Sequence, residues 1–126
     1  MHFNRFNSLD FCILSTITLA VPPLIHPFDF GDEAINSGDV IIATCAVIKG
    51  DLPIKIYWTL NNQPIDTFDG IITMNTNKRA SQLTIEAVRA HHSGEYKCIA
   101  ENGFGKTEFK TYLNVNGILC FICVYF

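Results

Sequence analysis

The sequence predicts an all-β fold, a Greek-key sandwich of two antiparallel sheets cross-linked once through its middle. Three observations carry that reading. Trp58 follows Cys45 by 13 residues and Cys98 follows Cys45 by 53, so two strand cysteines can bridge facing sheets with the indole packed on their sulfurs. Tyr96 stands two residues before Cys98 in Gly94-Glu95-Tyr96-Lys97-Cys98, placed to turn its hydroxyl back onto the preceding loop. Short strand-like runs separated by turn residues fill 21–116 at sandwich spacing. Cys45 and Cys98 are thus the expected structural disulfide, with Trp58, Leu83 and Tyr96 as the core signature around it.

Each element has a local cause. The stretch 21–25 contains Pro22 and Pro23, whose missing N–H suits an edge strand. His26-Pro27 interrupts it, and 28–35 can resume on the opposite sheet. Ser37-Gly38-Asp39 is a turn. In 40–48, Ile41, Ala43, Cys45 and Val47 share one side, because successive strand side chains alternate between faces. After a loop over 49–53, the strand 54–60 points Ile56, Trp58 and Leu60 inward and Lys55, Tyr57 and Thr59 outward. Asn61-Asn62-Gln63-Pro64 turns the chain, Ile65 starts a short strand, and 60–70 is too compact for a further strand pair. The pattern leaves the inward face of 71–76 unassigned. Strand 81–88 buries Leu83 and Ile85, 89–93 crosses over, and 94–100 is the strand of Cys98. Asn102-Gly103-Phe104-Gly105 is a hairpin whose glycines suit the positive φ of such turns. Strand 106–115 closes the core with Leu113 and Val115.

At 126 residues the chain holds one domain and one core. A net charge of −3 with scattered basic residues excludes a nucleic-acid footprint, and 48% hydrophobic content excludes a disordered chain. Residues 21–116 carry 19 of the 21 charged side chains. The flanks, 1–20 and 117–126, carry only Arg5 and Asp10, together with Cys12, Cys120 and Cys123. The first flank reads as signal-like, with Arg5, an apolar 11–20 and a Thr18-Leu19-Ala20 cleavage site. The second is apolar but ten residues long, short of the roughly twenty a membrane-spanning helix needs, and stands apart from the fold. Both flanks also read as an exon's frame continued into its introns, and a mature message retaining them would overturn that. Closing the Cys45–Cys98 loop stabilises the fold by roughly 4 kcal/mol, a large share of the roughly 5–15 kcal/mol typical of a domain. Such a bridge places the domain outside the cell or in an oxidising lumen.

Catalytic signatures are absent. There is no nucleophile–base pair, phosphate-binding glycine loop or carboxylate pair, so the chain is not expected to be an enzyme, to hold a cofactor or to take a small-molecule substrate. His91-His92 lacks the alternation that would point both rings at one ion, and Cys98 is committed to the bridge, so no metal is expected. No Asn-x-Ser/Thr sequon occurs.

The quoted residues carry a family resemblance. Cys45, Trp58, Leu83, Gly94-Glu95-Tyr96-Lys97-Cys98 and Ala100-Glu101-Asn102-Gly103-Phe104-Gly105 resemble an intermediate-set immunoglobulin domain of a cell-adhesion receptor. Phe28-Asp29-Phe30-Gly31-Asp32-Glu33, Lys49-Gly50-Asp51-Leu52-Pro53-Ile54, Trp58-Thr59-Leu60-Asn61 and Tyr96-Lys97-Cys98-Ile99-Ala100 are similar to the arthropod Dscam (Down syndrome cell adhesion molecule) family, over 21–116. The resemblance is greatest to that family's seventh immunoglobulin domain, the one specified by a single alternatively spliced exon. It implies an extracellular module of a plasma-membrane receptor, or a secreted one. Such a module binds a copy of itself, antiparallel, through one sheet face, in neuronal self-recognition and axon guidance. On this chain that face would hold Ile42, Thr44, Ala46 and Ile48 with Gln82, Thr84 and Glu86. The alternative is a spacer, or an immune-type domain binding another cell-surface or pathogen protein through Tyr57, Lys97, Glu101, Phe104 and Tyr112. His92 departs from the family's Asp, which pairs with a basic residue near Arg79, so a neutral imidazole implies a weaker corner there.

Overall fold

In the computed structural model, residues 20–31 and 33–116 are described. The flanks assigned to 1–20 and 117–126 lie outside them except for Ala20. Eight strands run in order: β1 (Leu24–Ile25), β2 (Ile41–Lys49), β3 (Lys55–Leu60), β4 (Gln63–Pro64), β5 (Ile71–Asn77), β6 (Ala80–Ile85), β7 (Gly94–Asn102) and β8 (Gly105–Leu113). They form two antiparallel sheets of four, ordered β1-β2-β6-β5 and β4-β3-β7-β8.

Alternation decides which side of each strand is buried. On β2, Ile41, Ala43, Cys45 and Val47 are buried while Ile42, Thr44 and Ile48 are exposed. On β6, Leu83 and Ile85 are fully buried. The disulfide joins β2 to β7, its Cα atoms 6.4 Å apart, with both cysteines inaccessible to solvent. Trp58 packs in this core and donates from Nε1 to Ser81 Oγ at 2.9 Å, a buried hydrogen bond from β3 to β6 on the opposite sheet. Ser81 is one of two buried polar residues among those described, and its hydroxyl satisfies the indole.

The first strand does split. Past Pro27, Phe28 lies edge-on to Trp58 with ring centroids 5.5 Å apart, and Phe30 lies edge-on to Tyr96 at 5.2 Å. The segment then joins the second sheet through a single parallel bridge, Ile35 to Val115. Tyr96 is fully buried, and its hydroxyl donates to the His92 carbonyl at 2.6 Å, tying β7 to the turn before it.

Two turns differ from expectation. The short strand after β3 is Gln63–Pro64, not one beginning at Ile65. Asn61 and Asn62 both adopt positive φ, at 51° and 66°, and this tight two-residue turn lays Gln63 directly against Leu60. Ile65–Thr67 then winds into a 3-10 turn that buries Ile65. The β7–β8 hairpin, by contrast, has no positive φ at Gly103 or Gly105. Gly105 matters for room, since a Cβ there would meet the Pro22 side chain at 2.9 Å.

Burial pushes the Tyr96 phenol above its ordinary value. The folded state therefore holds that proton more tightly than the unfolded chain. The resulting stability is complete below about pH 10, where the unfolded phenol titrates, and is lost as pH rises beyond it. Tyr96→Phe should cost about 1–3 kcal/mol at neutral pH, by leaving the buried His92 carbonyl unpaired. The gap between the two proteins in denaturant unfolding should shrink above about pH 10. A gap that stays constant into alkali would contradict the buried, bonded phenol.

Candidate interaction face

The outer surface of the β1-β2-β6-β5 sheet is where the side chains not used by the core collect. Strand register sets them in rows: Ile42 beside Thr84 beside Ile72, then Thr44 beside Gln82 beside Met74. The residues expected on this face are all on its outer side or its margin. Ile42, Thr44 and Ile48 are exposed, Ala46, Gln82 and Thr84 are half-buried, and exposed Glu86 follows the end of β6. The structure adds Ile72 and Met74, 55% and 58% exposed, which sequence reasoning missed. Adjacent isoleucines in Ile71-Ile72 hide the alternation. Only pairing with β6 shows that Ile71 turns toward the core and Ile72 away from it.

Of the nine large apolar side chains exposed among the described residues, six belong to this sheet or its start: Leu24, Val40, Ile42, Ile48, Ile72 and Met74. Single exposed apolar groups are ordinary, so it is their concentration on one sheet that makes this face the candidate.

The opposite sheet contrasts with it. Its outward rows place Lys55 beside Glu101 beside Lys106, and Lys97 beside Lys110. Lys97 approaches Glu108 at 3.8 Å, Lys110 approaches Glu95 at 3.8 Å, and Tyr112 donates to Glu95 at 2.8 Å. The hydrogen bond and charge of Glu95 hold the Tyr112 phenol above its usual value. Tyr57 lies under the Lys55 ammonium, 5.2 Å from ring centroid to nitrogen. The charges here largely answer one another within the face. Phe104, at the β7–β8 tip, is exposed.

The histidine pair turns out closer than its sequence implied. Ala90–His92 forms a 3-10 turn rather than extended chain, so the two rings lie 4.1 Å apart. Donor atoms of Asp69, His91 and His92 all fall within 4.8 Å of one another. His92 is nonetheless committed. Its Nδ1 accepts from the Arg89 N–H at 2.9 Å, which assigns the ring proton to Nε2, and Nε2 donates to the Asp69 carbonyl at 3.0 Å. A metal on Nε2 would force the proton onto Nδ1, where it would face another donor. That leaves only exposed His91 and Asp69, which already approach each other at 3.3 Å. His92 is a clasp between the turn and the loop before β5.

The expected partnership of His92 with Arg79 is overturned. Arg79 sits at the far end of the sheet, its carbonyl accepting from the Val47 N–H, whereas His92 lies beside Asp69 and Gly70. Gly70 adopts φ +78°, and a Cβ there would press on His92 Nε2 at 3.2 Å. His92→Asp should therefore lower the melting temperature, because a carboxylate keeps the acceptor for Arg89 but loses the donor to Asp69. His92→Ala should cost about 1–3 kcal/mol. Zinc should leave the melting temperature of the parent protein unchanged, whereas a rise would contradict the commitment of both ring nitrogens.

Two four-stranded sheets, an inter-sheet disulfide, a buried tryptophan beside it and a tyrosine hydroxyl tied to the preceding turn define an immunoglobulin-type domain. Residues 30–115 match the Immunoglobulin I-set domain, and the chain belongs to that family. Within it, the chain is 45% identical over 101 residues to the cell adhesion molecule Dscam1 of Drosophila melanogaster, a match covering 79% of this chain and 5% of Dscam1. It is 38% identical over 86 residues to human DSCAML1, covering 68% of this chain and 4% of the relative. The crystal structure of the Dscam1 Ig7 domain, isoform 5, superposes with a TM-score of 0.74 at 45% identity, covering 77% of this chain and 99% of that one. The chain thus spans about a twentieth of the curated relatives' length while matching a complete single domain. The resemblance read from the strand motifs is the one these comparisons show.

Proposed function

We propose that the domain is an extracellular recognition module that binds a second copy of itself, antiparallel, through the outer face of β1-β2-β6-β5. The observation that carries this is the composition of that face. Its central rows hold Ile42, Thr84 and Ile72, then Thr44, Gln82 and Met74, with no charge among them. A two-fold contact brings each patch against itself, so a charged centre would repel its own image. An apolar and hydroxyl-bearing centre has no such cost and can bury area in a modest, specific contact.

The relatives support the reading, since those named above are cell adhesion molecules. The inaccessible disulfide suits the outside of a cell, in a membrane receptor or a secreted form. By the family's example the role is isoform-specific neuronal self-recognition. Heterophilic binding through Tyr57, Lys97, Glu101, Phe104 and Tyr112 has less support, because Lys97 and Lys110 are paired with Glu108 and Glu95 within that face and the exposed Tyr112 ring is held there by its bond to Glu95.

Sedimentation equilibrium of the oxidised protein should show concentration-dependent dimerisation. Thr44→Lys or Met74→Lys should weaken it at least about tenfold, while Tyr112→Lys should leave it unchanged. A strict monomer at the highest soluble concentration, or loss of binding through Tyr112 alone, would overturn this reading.

A further inference from the structure

The two sheets have four edges, and three of them carry protection against further pairing. β1 is two residues long and preceded by Pro22 and Pro23, and β4 is two residues long and ends in Pro64. β8 is long, but it exposes Lys106, Glu108 and Lys110 along its length, and Ile35 bridges Val115 just beyond its end. Shortness, proline, charge and cover are the usual guards of a sheet edge. The fourth edge, β5, runs seven residues with no charge and no proline, broken only by a register shift between Asn75 and Asn77. The interior beside it is open as well. Thr73 and Asn75 share the side of Ile71, and their β6 partners Leu83 and Ser81 are buried, yet both are exposed. The cause lies across the gap. Among the described residues β4 pairs only with Thr59 and Leu60, which leaves Ile56 to Trp58 without a strand on that side. The sheets part there around a cavity of about 420 Å³, its walls including Ile56, Trp58, Ile65, Thr73, Asn75 and Ser81.

We infer that this edge takes up an extended segment of another protein, as an added antiparallel strand beside β5. Every second residue of β5 turns its N–H and C=O to the open side, where an incoming backbone can meet them. Side chains of the added strand alternate, one set widening the outer face past Ile72 and Met74 and the other entering the cavity. In this mode main-chain bonds supply affinity and the side-chain pocket supplies selectivity. The apolar walls of Ile56, Trp58 and Ile65 suit one bulky aliphatic or aromatic side chain. Charge sets the direction. Asp66 and Asp69 stand before β5 and Lys78 and Arg79 after it, all four exposed. Among the described residues only Asp69 has an ion partner, the exposed His91. An antiparallel segment brings its first residues to Lys78 and Arg79 and its last to Asp66 and Asp69. The fitting partner is therefore acidic at the N-terminal end of the segment, basic at the C-terminal end and uncharged between, with a bulky apolar side chain at the centre. Such a contact uses the edge and leaves Ile42, Thr44 and Thr84 free for the self-contact.

The probe is a synthetic peptide of alternating threonine and valine, with phenylalanine in place of the central valine, glutamates at its N-terminal end and lysines at its C-terminal end. Titrated against the oxidised protein, it should shift the emission of Trp58, the one tryptophan of the chain and part of the cavity wall. Amide hydrogen exchange should slow at alternate residues of 71–77. Thr73→Phe sets a ring into the cavity from an exposed position, and should weaken peptide binding at least about tenfold. The same variant should keep the parental melting temperature and the parental self-association. A peptide with its end charges exchanged should bind several-fold more weakly. The inference is overturned if the peptide leaves Trp58 emission and the β5 amides unchanged at its highest soluble concentration. Binding that survives Thr73→Phe, or that favours the exchanged charges, would overturn it equally. Sedimentation reads the self-contact separately, so failure at the edge and failure at the face are told apart.

Discussion

The bridge from Cys45 to Cys98 fixes how far apart the two sheets can stand, and the surrounding packing depends on that spacing. With Cα atoms 6.4 Å apart it leaves a layer that one indole fills, and Trp58 fills it while reaching Ser81 across the gap. The bond from Trp58 to Ser81 is a polar strut inside an apolar layer, and it registers β3 on one sheet against β6 on the other. Phe28 and Phe30 then cap the layer against Trp58 and Tyr96. Without the cross-link, the unfolded chain regains the freedom of a 53-residue loop, a cost comparable to much of a domain's net stability.

Most of the fold was legible because its causes are local. Alternation along Ile41 to Val47 named the buried side of β2, and Gly94-Glu95-Tyr96-Lys97-Cys98 located both the bridge and the tyrosine bond. What could not be read depended on partners distant in sequence. The outward aim of Ile72 and Met74 exists only through pairing with β6. Ser81 looked like an ordinary strand serine until the indole of Trp58 was brought to it. The pairing of His92 with Arg79 came from the family's example rather than from any local pattern, and strand β6 lies between them and carries them to opposite ends of the sheet. The Asn61-Asn62 turn was readable as a turn, yet its positive φ pair, which shifts the short strand to Gln63, was not.

The candidate face is similarly uneven in its legibility. Parity gave the β2 and β6 positions directly, and they are the half of the face built from alternating strands. The other half, Ile72 and Met74 on β5, required the strand order. The two sheets also solve the problem of an exposed surface differently. One distributes opposite charges so that each answers a neighbour, as Lys97 does Glu108, and the other keeps its middle uncharged. A self-answering surface has little left to offer a partner, whereas an uncharged centre still has area to bury.

The alternation of β2 also bears on how such a domain can diversify. Ile41, Ala43, Cys45 and Val47 hold the fold together from one side of the backbone, while Ile42, Thr44 and Ile48 face outward from the other. Outward side chains share few contacts with inward ones, and substitutions without shared partners tend to add rather than interfere. New surfaces can therefore be written on one side of the strand without renegotiating the core on the other. A lineage of such domains could hold a constant scaffold while its surfaces drift apart.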